Sequence, residues 1–583
     1  MYADVVVLTY QSPDIDSYTY EIPKELEKEI KIGQLVSVPF GNRNPMGIIM
    51  SIVDRLSTID YKVKPISSIV IHQPLLLTFQ IDLLKWLRFY YLAPMVNCLE
   101  AMLPQLPNAK RLTTNANYSG FSRSTLDLSQ TLILVPSINR LPEIMATFPG
   151  AKNPTVYHNE LKKSERFETY LKIKSGEFDF VFGSRSAIFT PCPHLTKIII
   201  FDEHDNAFKD ERSPYYDTLT VAEKLQELTE AKIEIIDSSP KITTYFNHKS
   251  GITAQGRRTV PMVKIINMLD EKASGNRSPI SEYLRAALKR NPGSSLLFLN
   301  KKNESGHLYC KNCQHQEFLK VEPCVCPNCT SSDIYFNSLN IISLSALVKK
   351  IVPQTVVRVI AEGIELSTSD FQHPVIDIAT ASVFYSLTLE KYALVAHVRV
   401  DSLLNVADFS SPERAYEQIT DLKKLARKLL ILQTYNIDNP VIKSAASSNY
   451  QQFASTQIGQ RKLLAYPPYA LLIKLTIRDQ NAGKLEVKAK KLTADLKSQL
   501  LTINLGPQSA GRGPHGTVYL PFTILGPYQP IFAKNKAQYN IILKVPTNSY
   551  ALSGRERAMK ELAPYLAKVP RDWQIIVEPR NMN

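Results

Sequence analysis

Five of the seven cysteines fall within one short stretch of the chain, and their spacing is that of metal ligands. The segments Cys310-Lys-Asn-Cys313 and Cys326-Pro-Asn-Cys329 are two C-x2-C pairs, and each pair can turn two thiolates toward one point. Four thiolates leave no open coordination position, so the ion would be structural rather than catalytic. The pattern predicts one structural zinc ion, with Cys324 as the alternative to Cys326.

The bulk properties limit the kind of protein. The chain has 583 residues and a formal net charge of +15 at pH 7, which allows several domains and a polyanionic partner. The scattered lysines are also compatible with simple solubility of a large surface. No apolar run reaches the roughly 18 residues of a membrane helix, and the first residues lack the pattern of a signal peptide. A cytoplasmic protein without a membrane partner is therefore expected.

Hydrophobic periodicity predicts the elements that surround these residues. Short alternating strands and one amphipathic helix fill the first hundred residues. After a polar linker, buried strands alternate with helices in two blocks, which is typical of parallel sheets covered by helices. The predicted strands are 4–9, 17–22, 34–40, 46–52, 131–135, 180–182, 197–201, 232–236, 295–299, 356–360, 375–379, 392–397, 470–477 and 539–544, and the predicted helices are 79–92, 160–174 and 218–230.

Several segments, spread in order over nearly the whole chain, match short motifs of one protein family. They are Ser17-Tyr-Thr-Tyr-Glu-Ile-Pro23, Gln34-Leu-Val-Ser-Val-Pro-Phe-Gly41, Phe182-Gly-Ser-Arg-Ser-Ala-Ile-Phe189, Leu464-Ala-Tyr-Pro-Pro468, Ile524-Leu-Gly-Pro527 and Val577-Glu-Pro-Arg-Asn-Met582. Together they resemble the PriA family, primosomal proteins N-prime, which are ATP-driven helicases that reload the replication machinery at stalled forks.

The resemblance implies a multidomain α/β fold. It comprises a small β-rich N-terminal DNA-binding domain, two degenerate RecA-like helicase lobes with a zinc-ribbon insert, and an α+β C-terminal domain. The linker is too short for the family's winged-helix domain and phosphate-binding loop, so both are predicted to be deleted. The predicted division is a 3′-end DNA-binding domain at 1–105, a linker at 106–130, the first lobe at 131–250, the second lobe at 251–305 and 336–450, the zinc ribbon at 306–335, and the C-terminal domain at 451–583.

The resemblance also implies a set of DNA-binding residues. The family cradles the terminal nucleotide of a 3′ end in an aromatic–Asp–aromatic segment, which matches Tyr18, Thr19 and Tyr20. Gly41 matches a close backbone approach, and Lys64 matches a phosphate-side lysine. Thr19 departs from the family's Asp, and a hydroxyl bonds a terminal 3′-OH more weakly than a carboxylate does. Without the resemblance, Tyr18 and Tyr20 would be interpreted as ordinary packing on one strand face.

Three elements of the family's motor are altered in this chain. No Gly-Lys-[Ser/Thr] phosphate loop occurs, and Phe201 stands where the family has the aspartate that holds Mg²⁺. Asp202, Glu203 and His204 follow as a vestigial motif. A third segment lacks the arginines that stabilise a transferring phosphoryl group. These losses predict that the chain is not an enzyme and that ATP and magnesium are not cofactors.

The resulting hypothesis is a replication-restart protein that binds forked or 3′-ended DNA as a scaffold, without ATP-driven unwinding. Other primosome proteins and a single-strand-binding protein are further expected partners, and a monomer is expected by analogy. Two alternatives stay open. One is an active ATP-dependent 3′–5′ helicase with an unrecognised nucleotide site, and the other is a protein-interaction module whose DNA contacts have decayed.

Overall fold

The computed structural model divides the chain into two compact units. One unit comprises Met1–Ala254 with Ile458–Asn583, and the other comprises Gln255–Gln457. Most of the predicted linker, 107–128, lies outside the described residues. The structure describes residues 1–9, 15–54, 63–106, 129–248, 251–253, 260–290, 293–300, 306–319, 323–337, 339–360, 374–386, 392–500, 522–530, 537–547 and 549–583.

The N-terminal domain is an antiparallel sheet followed by two helices. Its elements are β1 (Tyr2–Val7), β2 (Tyr18–Glu21), β3 (Leu35–Ser37), β4 (Met46–Val53), β5 (Ser68–Ile71), α1 (Thr78–Tyr90) and α2 (Met95–Met102). The strand order is β2-β1-β4-β3-β5. Both faces of the sheet carry apolar residues, because one face packs toward α1 and α2 and the other packs on the domain's own loops.

The first lobe is a parallel sheet covered by helices. Its elements are β6 (Gln130–Leu134), α3 (Leu141–Ala146), β7 (Pro154–Tyr157), α4 (Lys163–Lys174), β8 (Phe180–Gly183), β9 (Leu195–Phe201), α5 (Thr218–Thr229), β10 (Lys232–Ile236), α6 (Ile242–His248) and β11 (Ile252–Thr253). The strand order is β11-β10-β9-β6-β8-β7. The central strands β6 and β9 end in apolar runs, at 132–134 and 198–201, because helices cover both of their faces.

The second unit contains another parallel sheet and a small antiparallel one. Its elements are β12 (Met262–Asn267), α7 (Met268–Ala273), α8 (Glu282–Arg290), β13 (Ser295–Phe298), β14 (Gly306–Cys310), β15 (Gln316–Leu319), β16 (Ile334–Asn337), α9 (Ile341–Ile351), β17 (Val356–Ile360), β18 (Val375–Ala379), α10 (Val383–Ser386), β19 (Tyr392–His397), α11 (Asp401–Leu404), α12 (Ser411–Leu425), β20 (Ala426–Thr434) and α13 (Pro440–Ala446). The parallel order is β12-β20-β19-β13-β18-β17, and the small sheet β15-β14-β16 carries the cysteine pairs.

The C-terminal domain is a mixed α+β layer that belongs to the first unit from Ile458 onward. Its elements are α14 (Tyr450–Leu464), β21 (Ala470–Asp479), α15 (Ala482–Leu500), β22 (Thr523–Tyr528), β23 (Ala537–Pro546), α16 (Leu552–Leu566) and β24 (Gln574–Val577). The antiparallel strand order is β22-β23-β21-β24, and α15 and α16 add their apolar faces to its core.

The predicted fold class is confirmed, with differences at the ends of elements. The strand predicted at 34–40 is only Leu35–Ser37, because Pro39 has no N–H for a ladder. The helix predicted at 160–174 begins at Lys163. The edge strands β7 and β12 were not predicted, since each contains exposed positions that break the apolar pattern. Within the described ranges, no helix is long and apolar enough to cross a membrane.

Candidate nucleic-acid interface and metal centre

Tyr20 belongs to the core of the N-terminal domain. Its side chain is 4% exposed and packs on one face of the sheet. The hydroxyl donates to the carbonyl of Pro39 at 3.4 Å. Burial, with a smaller contribution from neighbouring Tyr18, raises the pKa of Tyr20 to about 12. Tyr20 therefore holds β2 in place from the core side and does not offer an open ring for stacking.

Tyr18, Gly41 and Lys64 lie at more accessible positions of the same domain. The half-buried ring of Tyr18 meets Phe40 edge-on at a centroid distance of 5.1 Å. Gly41 has φ of +60°, and among the described residues no atom lies within 4 Å of where a Cβ would be. Lys64 is exposed, and its carbonyl accepts from the N–H of Glu21 at 3.0 Å. Tyr18 is thus the first residue of β2, Lys64 lies beside that strand, and the backbone at Gly41 is open.

Thr19 faces away from the two tyrosines, because successive side chains of a strand point to opposite faces. It pairs across the sheet with Asp4 of β1, which in turn pairs with Ser51 of β4. The Thr19 hydroxyl donates to Asp4 Oδ1 at 2.7 Å, and the Ser51 hydroxyl donates to Asp4 Oδ2 at 2.6 Å. A carboxylate therefore lies one hydrogen bond from the position at which the family carries an aspartate. Asp4 was not predicted from the sequence, because only strand pairing brings it beside Thr19.

The four predicted zinc ligands converge. The Sγ atoms of Cys310 and Cys329 are 3.6 Å apart, and those of Cys313 and Cys326 are 3.7 Å apart. All four sulfurs lie within 4.8 Å of one another. Thiolates about 2.3 Å from a central zinc ion would be separated by roughly 3.8 Å, so the spacing fits tetrahedral zinc. Cys324 is exposed and outside this group, which disfavours it as the alternative ligand.

Two asparagines support the thiolates from the knuckle loops. The Asn312 amide donates to Cys329 Sγ at 3.7 Å, and the Asn328 amide donates to Cys313 Sγ at 3.5 Å. The bond from Asn328 is the main reason that the pKa of the Cys313 thiol falls to about 6. Such outer contacts orient metal ligands and favour their charged form. The residues therefore suit the zinc ion that the spacing predicts, held by these four cysteines.

Phe201 ends β9 and points into the core of the first lobe. Its ring meets Phe148 edge-on at a centroid distance of 6.3 Å. Asp202 follows with φ of +47°, in the left-handed region that non-glycine residues adopt at a cost. This turn directs the Asp202 carboxylate into a buried ion pair with Arg140. Phe201 thus fills the core, and Asp202 is the first acidic group at the sheet edge.

Asp202, His204 and Asp237 meet at the carboxyl edge of this parallel sheet. His204 Nδ1 lies 2.8 Å from Asp237 Oδ2, and one ligand atom from each of the three residues lies within 4.8 Å of the others. Glu203 is buried in an ion pair with Lys241 at 2.6 Å. Ligands of α/β sheets bind at such edges. Asp237 was not predicted, although it follows β10 as Asp202 follows β9.

A buried ion network joins α5 of the first lobe to α16 of the C-terminal domain. Arg555 is 3% exposed and donates to the carboxylates of Glu223 and Glu578. His248 Nε2 lies 2.7 Å from Glu223 Oε1. Burial alone would raise the pKa of Glu223, but the charges and hydrogen bonds of Arg555 and His248 together more than offset this, so the pKa is lowered. The network therefore depends on ionised carboxylates.

Comparisons with known proteins agree with the resemblance. Residues 6–104 match a family model described as the PriA 3′ DNA-binding domain. The replication restart protein PriA of Synechocystis sp. is 30% identical over 65% of this chain and 53% of its own length. PriA of Bacillus subtilis is 25% identical over 71% of this chain and 57% of its own length, and PriA of Rickettsia conorii is 22% identical over 90% and 92%. The chain spans about half the length of the first curated relatives it matches.

Solved structures give a weaker likeness. The helicase Lhr of Mycobacterium smegmatis, bound to ssDNA and AMP-PNP, has a TM-score of 0.33 and 11% identity over 56% of this chain and 43% of its own. The DUF1998 helicase MrfA, bound to DNA and AMPPNP, has a TM-score of 0.32 and 12% identity over 59% and 46%. At these TM-scores the likeness supports no conclusion about this chain.

The prediction that this chain is not an enzyme is wrong. Its relatives are replication restart proteins named PriA, and the resemblance to that family implies an ATP-driven helicase. The exclusion of ATP and magnesium depended on the same reasoning and has no support. The error has a physical reason. The altered motifs show which nucleotide-binding side chains of the family are missing, but other side chains of the chain can still bind a nucleotide.

The domain match and the aligned relatives lead to one assignment. The family model covers the sheet that carries Tyr18, Thr19 and Tyr20. The relatives extend the alignment into the lobes and, in one case, over 90% of the chain. Residues 6–104 therefore match a PriA 3′ DNA-binding domain, and the chain is similar to PriA replication restart proteins over much of its length.

Proposed function

We propose that this chain binds forked or 3′-ended DNA and takes part in the restart of stalled replication forks. The observation that carries the proposal is the match of residues 6–104 to a 3′ DNA-binding domain. The net charge of +15 supports it, because cationic groups that neutralise phosphates release counterions from DNA. Docking of other primosome proteins and of a single-strand-binding protein, by a monomer, belongs to the same proposal.

The residues around β2 have different roles in DNA binding. Tyr18 offers the accessible part of its ring to a terminal base, while Tyr20 fixes the strand from the core. The open space beside Gly41 lets a nucleotide approach the backbone. Lys64 supplies a positive charge next to β2 for a phosphate.

Fork binding by the full zinc-loaded chain tests this proposal. We expect tight binding at low salt that weakens steeply as salt rises. Tyr18→Ala and Lys64→Ala should weaken binding, and Lys64→Ala should also flatten the salt dependence by about one released ion. Lys28→Ala, an exposed lysine of the same domain, is the matched control and should bind like the wild type. Binding that does not change with salt would contradict the proposal.

The similarity to PriA proteins favours a second activity, DNA unwinding driven by ATP. The convergence of Asp202, His204 and Asp237 at the ligand-binding edge of the first lobe is the observation that favours it. ATP hydrolysis by the purified chain, with and without a fork, measures this activity. Hydrolysis that the fork stimulates and that Asp202→Asn abolishes would support unwinding. Intact fork binding with no hydrolysis would restrict the function to binding.

A further inference from the structure

A row of three polar side chains crosses the N-terminal sheet. Thr19 on β2, Asp4 on β1 and Ser51 on β4 are half-buried neighbours at matching positions of adjacent strands. Asp4 is the only charged member, and it accepts from both hydroxyls, at 2.7 Å from Thr19 and 2.6 Å from Ser51. The carboxylate therefore fixes where both hydroxyl protons point.

This arrangement changes what Thr19 can do. A threonine hydroxyl has one proton to donate and two lone pairs to accept. The proton of Thr19 is given to Asp4, and among the described residues no donor is directed at the Thr19 oxygen. The oxygen is thus left as an acceptor, like the oxygen of a carboxylate. Because the bond to Asp4 is charge-assisted, it polarises the hydroxyl and strengthens any further bond that the oxygen accepts.

We propose that Asp4 is a positioning residue for the terminal 3′-hydroxyl of bound DNA. The 3′-hydroxyl donates to Thr19 Oγ1, and the Thr19 hydroxyl donates to the Asp4 carboxylate. The family has an aspartate carboxylate at the position of Thr19. In this chain the Asp4 carboxylate takes that role, acting through the Thr19 hydroxyl. This inference rests on the proposed function, and it names the group by which the site distinguishes a free 3′-hydroxyl from an end that lacks it.

A purely structural Asp4 would hold three strands together and nothing more. Its removal would then weaken binding to every DNA end alike. A positioning Asp4 affects only ends that carry a 3′-hydroxyl. The ratio of the Kd for a fork ending in a 2′,3′-dideoxynucleotide to the Kd for the same fork ending in a 3′-hydroxyl separates the two roles.

The experiment measures that ratio for the full zinc-loaded chain and its variants, with thermal unfolding of each variant as a folding check. The wild type should prefer the 3′-hydroxyl fork about tenfold, the effect of one good hydrogen bond. Asp4→Asn and Thr19→Val should lower the ratio to about one, because they raise the Kd for the 3′-hydroxyl fork about tenfold more than the Kd for the dideoxy fork. Thr19→Asp in the Asp4→Asn background should restore the ratio. Ser51→Ala, which removes only the other neighbour of Asp4, should keep it.

Several results would overturn the proposal. These are a wild-type ratio near one, an Asp4→Asn variant that keeps the preference, or a Ser51→Ala variant that loses it as fully as Asp4→Asn does. An equal loss of affinity for both forks in Asp4→Asn would assign Asp4 the structural role. If the wild type binds both forks equally, the proposal fails and fork binding stands. If it binds neither fork, the proposed function fails with it.

Discussion

Arg140 and Asp202 form a buried ion pair at the carboxyl edge of the first lobe's sheet. The pair connects the segment after β6 with the turn after β9, and it gives the left-handed Asp202 a fixed partner. Asp202 lies close to His204 and Asp237. The guanidinium of Arg140 therefore supplies positive charge beside two carboxylates, those of Asp202 and Asp237. These four side chains therefore lie together as a polar cluster at this edge.

Removing Arg140 should destabilise the first lobe. Arg140→Met leaves the Asp202 carboxylate buried without its cation, and breaking such a pair costs about 3–5 kcal/mol. Thermal unfolding of the full chain measures the loss. Arg140→Met combined with Asp202→Asn should recover much of the stability, because no uncompensated charge stays buried. A loss below about 1 kcal/mol in the single variant would show that the pair is not a support of this edge.

Zinc removal should unfold the ribbon insert. The four thiolates hold together a small sheet that has little apolar core of its own, and zinc supplies roughly 10–16 kcal/mol of apparent free energy in such ribbons. Chelation, or Cys326→Ser, should release one equivalent of zinc and expose 306–335 to proteolysis. Cys324→Ser is the control and should keep the metal, since Cys324 is exposed and outside the converging set. Zinc loss in Cys324→Ser with retention in Cys326→Ser would reverse the ligand assignment.

Substitutions of Tyr20 should lower the stability of the fold, whereas substitution of Tyr18 should weaken DNA binding. Tyr20→Ala removes a buried aromatic ring and should cost about 3–5 kcal/mol of unfolding free energy. Tyr20→Phe removes only a hydroxyl whose bond is 3.4 Å long and should cost about 1 kcal/mol or less. Tyr18→Ala should weaken DNA binding by about 1–3 kcal/mol with little loss of stability. Chemical denaturation and fork binding of the three variants provide the measurements. A large loss of stability in Tyr18→Ala, with a loss of binding alone in Tyr20→Ala, would contradict the placement of the two rings.

The network around Arg555 should make the first unit sensitive to acid. The folded-state pKa of Glu223 is lowered, so its contribution to stability is present above the unfolded-state pKa of about 4.3 and is lost as pH falls below that value. Thermal unfolding should therefore move to lower temperature between about pH 5 and pH 3. Glu223→Gln should be less stable at neutral pH and lose less on acidification. Parallel pH profiles for the wild type and Glu223→Gln would show that Glu223 does not contribute.

The sequence predicts the strands that are buried on both faces. Nearly continuous apolar runs gave β18 and β19 at their observed bounds, because every residue of both strands is buried. The cysteine pairs are equally informative, since two adjacent knuckles need only local turns to converge. Edge strands such as β7 were not predicted, because their exposed positions carry no periodic signal.

Contacts that depend on strand pairing could not be predicted. Asp4 meets Thr19 only through the register of β1 with β2, and the two residues are distant in sequence. Asp237 reaches His204 only because β9 and β10 are neighbours in a parallel sheet. The family resemblance indicated Tyr18, Thr19 and Tyr20 as a group, while the pleat of β2 places Tyr20 in the core and turns Thr19 to the other face.

The most direct test of the central claim is a competition experiment with two DNA forms of the same sequence. A labelled fork is bound to the full zinc-loaded chain and is displaced by either a linear duplex with free 3′ ends or a covalently closed dumbbell without ends. If the N-terminal sheet holds a 3′ end, the linear duplex displaces the fork at a concentration about tenfold lower than the dumbbell does. If the dumbbell competes equally well, the chain binds DNA without recognising its 3′ end, and the account of the N-terminal sheet is wrong.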